Sequence, residues 1–150
     1  MSSQYEDDAH DAGRCNDGDT SGDNFCAASK CNDGNTNTYC HTKGGEAFPW
    51  IALQFLQAVD FSKVEIVNRG DCCGDRMENM RIVASEGLPS TTSSAMSQGN
   101  EFASFTGPSA TGRTEIFTGS ATGKVLLIQM ETDYINLAEI RIFGKAAEGE

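Results

Sequence analysis

Residues 50–55 read WIALQF and residues 63–68 read KVEIVN. Both are short, rich in branched apolar residues and largely alternating, the period-two signature of a half-buried β-strand. The same pattern recurs as MRIVA at 80–84, TEIF at 114–117, KVLLIQM at 124–130 and AEIRIFG at 138–144, with Gly, Ser, Thr and Asn between the runs. No segment carries the longer period of an amphipathic helix. Residues 85–113 are rich in small polar side chains, and within them Phe102 and Phe105 mark a short strand with inward side chains. Because apolar strand sequence resumes afterwards, this stretch reads as a surface loop and not as a linker. The predicted class is all-β, two packed antiparallel sheets in one domain, a size consistent with 150 residues of which 38% are hydrophobic.

Charge narrows the partners. Eleven basic side chains face twenty-two acidic ones, a formal net charge of −11, which argues against nucleic acid and anionic membrane surfaces. No run approaches the roughly 20 apolar residues of a membrane span, and residues 1–13, MSSQYEDDAHDAG, are acidic and polar where a signal peptide is basic and then apolar. Six cysteines include CNDGDTSGDNFC at 15–26 and CNDGNTNTYC at 31–40. Cysteines in polar loops without zinc spacing read as disulfides of an oxidising, extracellular compartment. Three pairings of these four are possible, and the repeat suggests Cys15 with Cys26 and Cys31 with Cys40. DGDTSG places Asp17, Asp19, Ser21 and Gly22 as an EF-hand would, yet the twelfth position is Ala28 instead of a bidentate Glu, so that motif fails. DGNTNT offers oxygens at alternate positions with Thr38 where Gly is required, so a calcium ion there belongs to another kind of site.

Immediately after KVEIVN the chain reads NRGDCCGDR, residues 68–76. A peptide bond sets neighbouring Cα atoms about 3.8 Å apart, below the usual ~4.4–6.8 Å across a disulfide. Cys72 and Cys73 therefore bond only by closing a tight ring that freezes the turn and presents a small apolar face; otherwise they are free or paired elsewhere. Arg69 and Arg76 are fixed charges with donor forks and no acceptor. With Asp71 and Asp75 they suit a ligand rich in hydroxyl and ether oxygens, or form a surface ion-pair cluster.

NRGDCCGDR, preceded by CHTKGGEAFPW and followed by YINLAEIRIFG, resembles the F-type lectins, the fucose-binding group of the discoidin-like (F5/8 type C) jelly rolls. The resemblance covers roughly residues 31–144. The family signature is a His, about 26 residues, then RxDxxxx(R/K); here 27 residues separate His41 from Arg69. It implies a discoidin-like jelly-roll sandwich over 31–144, with residues 1–30 as an acidic, cysteine-containing segment packed on or extending it and 145–150 as a tail. It further implies that His41, Arg69 and Arg76 donate to L-fucose oxygens, Asp71 braces the arginines and the Cys72–Cys73 disulfide packs on the sugar. A structural calcium would take the carboxylates of Asp33 and Glu139, backbone oxygens of Lys30, Asn35 and Ala138, and Thr38. Many relatives carry Cys where this chain has Ala138, so the resemblance leaves Cys40 no partner at that position and favours Cys31 among the open pairings. The expected function is a secreted, calcium-containing lectin for fucosylated glycans, monomeric unless shown otherwise. The alternative is a discoidin-like adhesion or matrix domain that binds another glycan or a protein. With two histidines and no nucleophile motif, nothing assembles a reaction site, and an enzyme is not expected.

Overall fold

The computed structural model describes residues 3–4, 10–15, 39–41, 50–87, 99–131 and 135–147. Among the described residues eight strands form in chain order: β1 (Ser3–Gln4), β2 (His10–Cys15), β3 (Cys40–His41), β4 (Trp50–Asn68), β5 (Met80–Ser85), β6 (Asn100–Phe105), β7 (Thr114–Met130) and β8 (Asn136–Ala146). Among the described residues the one helical element is the 3-10 turn Gly74–Arg76. Among the described residues no helix is long and apolar enough to cross a membrane. All pairs among these strands are antiparallel.

The runs WIALQF and KVEIVN are two halves of one strand. In β4 residues 51–55 pair with β2 and residues 50–54 with the end of β7, while the half from Val59 onward pairs with the start of β7 and with β8. The register breaks between Gln54 and Val59, where the strand passes from one layer to the other. β7 does the same, so TEIF and KVLLIQM are also one strand. The intervening TGSATG reads locally as a turn, yet it stays extended because Asp60 and Val59 pair with Thr122 and Gly123. Here tertiary pairing outweighs the weak local preference of small residues. Gly123 shows why they are small: a Cβ there would lie 2.6 Å from the Ser85 carbonyl oxygen, so any larger residue would collide with β5.

One layer is thus β2, the first half of β4, the second half of β7, β5 and β6. The other is β1, β8, the second half of β4 and the first half of β7, with β3 on β8. Between them lie Ile51, Leu53, Val64, Ile66, Ile82, Leu126, Ile128, Ile140 and Ile142, all at most 5% exposed. A second buried cluster, Ala52, Val83, Val125 and Leu127 with Trp50 packed on it, alternates with these residues and so occupies the opposite face of the first layer. That double burial explains why WIAL and KVLLIQM lose clean alternation. The discoidin-like jelly roll expected from the sequence is the fold observed. The expected strand in 85–113 is β6, with Phe102 buried and Phe105 partly so.

Candidate functional site

The loop between β4 and β5 is built on Asn68, the last residue of β4, which is 1% exposed. Its Nδ2 donates to the Gly74 carbonyl at 2.8 Å and to the Ala110 carbonyl at 3.1 Å, while its Oδ1 accepts from the Arg69 amide at 2.9 Å. One buried amide therefore closes the 69–74 turn on itself and ties it to the loop before β7. Further bonds run between the same two loops: the Asn68 amide to the Arg113 carbonyl, the Gly112 amide to the Arg69 carbonyl, and the Gly74 amide to the Thr111 hydroxyl. Gly74 sits so close to this second loop that a Cβ would lie 2.1 Å from the Thr111 nitrogen. Neighbouring Cys73 has φ 66°, a left-handed conformation uncommon outside glycine. Cys72 and Cys73 are joined by a disulfide with Cα atoms 3.7 Å apart, and both are half-buried.

On this frame Arg69 is held as a fork. Its Nε donates to one carboxylate oxygen of Asp71 at 2.6 Å and its Nη2 to the other at 3.2 Å, a bidentate geometry that fixes the guanidinium plane. The hydrogen bond to Asp71 raises the Arg69 pKa, burial opposes it, and the charge environment of Tyr39 adds to it. The same hydrogen bond holds the exposed Asp71 carboxyl below its ordinary range. Only 13% of the Arg69 side chain is exposed, against 64% for Asp71. The Tyr39 ring lies under the guanidinium, its centroid 3.8 Å from Cζ, well inside cation–π range.

Arg69, Asp71, Cys72, Cys73 and Arg76 are thus gathered in one turn, with Arg76 half-buried at the end of the 3-10 turn. The backbone of His41 pairs with Asn136 of β8, and Tyr39, two residues earlier, touches Arg69, so the chain carrying His41 reaches the same loop. The His41 side chain lies outside the described residues. Of the expected calcium ligands, Ala138 and Glu139 are on β8 and buried. Lys30, Asp33, Asn35 and Thr38 lie outside the described residues, as do both EF-hand-like stretches and the side chains of Cys15, Cys26, Cys31 and Cys40. Among the described residues no three His, Cys, Asp or Glu side chains gather as a metal site.

Sequence reasoning missed three residues here. Asn68 opens the quoted NRGDCCGDR but looks like an ordinary strand-ending Asn. Tyr39 is separated from Arg69 by 29 residues and has no local signal. Asn136, 3% exposed and opposite His41, has neither side-chain atom hydrogen-bonded among the described residues.

Comparison with known proteins bears on the family and the fold. Residues 30–126 match the F5/F8 type C family described as the NedA-like, galactose-binding domain. Fucolectin-6 of Anguilla japonica is 33% identical over 107 residues, spanning 68% of this chain and 52% of that protein. Fucolectin of Anguilla anguilla is 32% identical over 106 residues, spanning 69% of this chain and 64% of that protein. The chain therefore matches about half to two thirds of the length of these relatives. Among solved structures, the fucolectin from striped bass (Morone saxatilis) serum superposes with a TM-score of 0.72 at 21% identity, covering 85% of this chain and 45% of that one. The family 32 carbohydrate-binding module of C. perfringens NanJ, solved with galactose, superposes at 0.63 with 17% identity over 95% and 92% of the two chains. By name these relatives are lectins and a carbohydrate-binding module. With the jelly roll, the RxDxxxxR loop and the vicinal disulfide in place, the chain belongs to the F5/F8 type C galactose-binding-like family, as an F-type lectin domain.

Proposed function

We propose that this domain is an extracellular lectin that binds L-fucose or terminal fucosylated glycans and carries a structural calcium ion. The observation that carries the reading is the Arg69–Asp71 fork set beside the Cys72–Cys73 disulfide in a single pinned turn. A hydroxyl-rich ligand needs donors held at fixed angles, and a deoxy sugar also needs an apolar surface for its methyl-bearing face. Arg69 and Arg76 supply the first and the disulfide the second, with His41 on the neighbouring strand as a further donor. The relatives named fucolectins make fucose the first sugar to test.

Two features of β8 support the calcium assignment. Glu139 is 2% exposed, between the core residues Leu137 and Ile140. Ala138 is the extra residue where pairing with β4 shifts from Val67↔Glu139 to Asn68↔Leu137, and a bulged residue is left out of the ladder. The two offer a carboxylate and a backbone carbonyl, the hard oxygens calcium takes. Asp33, Asn35, Thr38 and Lys30 would complete the site and tie the early loop to the last strand.

Titration calorimetry with L-fucose, and with D-galactose as the control, tests the reading. The wild type should release heat with L-fucose at millimolar sugar and bind it more tightly than D-galactose. Arg76→Ala should keep the fold and lose charge-assisted hydrogen bonds of about 1.5–3 kcal/mol, roughly tenfold to over a hundredfold in affinity. No heat from the wild type, or equal affinity in the two proteins, refutes the fucose site.

A further inference from the structure

We infer that Tyr39 is a positioning residue for the sugar site, holding the Arg69 guanidinium at the angle from which it meets the ligand; this rests on the lectin reading above. A guanidinium has five N–H donors in one plane. In Arg69 the Nε–H and one Nη2–H are taken by the two oxygens of Asp71. Among the described residues, the two Nη1–H donors and the second Nη2–H have no hydrogen-bond partner. The ring of Tyr39, 3.8 Å below Cζ, covers one face of the plane.

These contacts divide the work. Asp71 alone fixes the plane along one edge, but Asp71 is 64% exposed and stands in the same short loop, so fork and carboxylate can swing together about the Arg69 side chain. Tyr39 removes that freedom because it belongs to a different part of the chain, anchored where β3 pairs with β8 at Cys40↔Leu137 and His41↔Asn136. Its ring stops rotation out of the plane, and the Nη1 edge keeps its donors for a ligand. The same stack sets the spacing between the loop that carries the arginines and the strand that carries His41. A cation–π contact to a largely desolvated guanidinium is strong enough to hold such an orientation.

The test uses three proteins: wild type, Tyr39→Phe, which keeps the ring, and Tyr39→Leu, which removes it. Two readouts apply, L-fucose affinity by calorimetry and the Arg69 Nε–H resonance by proton–nitrogen NMR without sugar, with thermal unfolding as the check on folding. In the wild type and Tyr39→Phe the Nε–H proton should be displaced by the ring current of the stacked aromatic. In Tyr39→Leu it should move toward the position of a free arginine while the fold persists. Fucose affinity should fall roughly three- to thirtyfold in Tyr39→Leu and stay within about twofold in Tyr39→Phe. If wild type and Tyr39→Leu, both folded, bind fucose equally, the proposal is overturned. An unchanged Arg69 resonance in Tyr39→Leu also overturns it, whatever the sugar does. If the wild type binds no fucose, the lectin reading fails on its own, and the resonance still decides whether Tyr39 holds Arg69. Should Tyr39→Leu not fold, an Arg69 resonance at the free-arginine position in Tyr39→Phe or wild type counts against the stack.

Discussion

The Arg69–Asp71 pair shows how a residue-scale contact sets a measurable property. The guanidinium fork stabilises the Asp71 carboxylate and holds its pKa below the ordinary carboxyl range, near 3.9 in an unfolded chain. A depressed folded pKa means that the stabilising effect is present above about pH 4 and is lost as pH falls through the lowered folded value. A carboxyl-carbon NMR titration should therefore find Asp71 ionising below its unfolded value. Arg69→Ala should return it to that value. An Asp71 titration unaltered by Arg69→Ala would show that the fork does not operate in solution. Gly74 belongs at this scale as well, because the loop closes only where a side chain is absent, and so does Asn68, whose amide uses both its N–H donors and accepts one bond at Oδ1.

At the scale of the element, β4 and β7 determine the architecture, since each runs through both layers and together they join the sheets. Burial along them differs sharply from residue to residue. Leu126 of β7 is fully buried, whereas Leu56, in the bend of β4, is 80% exposed. Leu126→Ala should destabilise the domain by about 2–5 kcal/mol through lost burial and a residual cavity. Leu56→Ala should stay within about 0.5 kcal/mol. Urea unfolding of both variants checks this, and similar midpoints would mean that the second half of β7 is not packed in the core. The disulfide turn is an element of another kind: short, irregular, and rigid because two loops share its hydrogen bonds.

For the molecule as a whole, the N-terminal segment contributes β1 to the edge of one layer and β2 to the edge of the other. β8 pairs with β1, β3 and β4, so a cation held by β8 and the early loop would act on the global fold. Binding to the folded state alone stabilises by about 2.7 kcal/mol at a hundredfold excess over Kd. For a domain of this size that is roughly 5–11 °C in Tm. Calcium titration of chelated protein, followed by thermal unfolding, should show such a rise, and Asp33→Ala or Glu139→Gln should reduce it. A Tm indifferent to chelation and to both substitutions would remove calcium from the description of this domain.

Much of this was legible in one dimension because it is encoded locally. Branched apolar runs with period two specify strands, and covalent adjacency places Cys72 beside Cys73 whatever the fold. The spacing RxDxxxxR is short enough for one turn to gather its side chains. What only the tertiary structure decided depends on partners distant in sequence. WIALQF and KVEIVN became one strand because β7 pairs with β4 on both sides of the bend and β8 pairs with its second half. Ala52, Val83 and Leu127 are buried because the first layer is covered on both faces. Asn68 bonds a carbonyl 42 residues away, and Tyr39 reaches Arg69 across 29 intervening residues. Neither leaves a local trace, because backbone periodicity and turn chemistry extend over a few residues, while packing joins whichever surfaces the folded layers bring face to face.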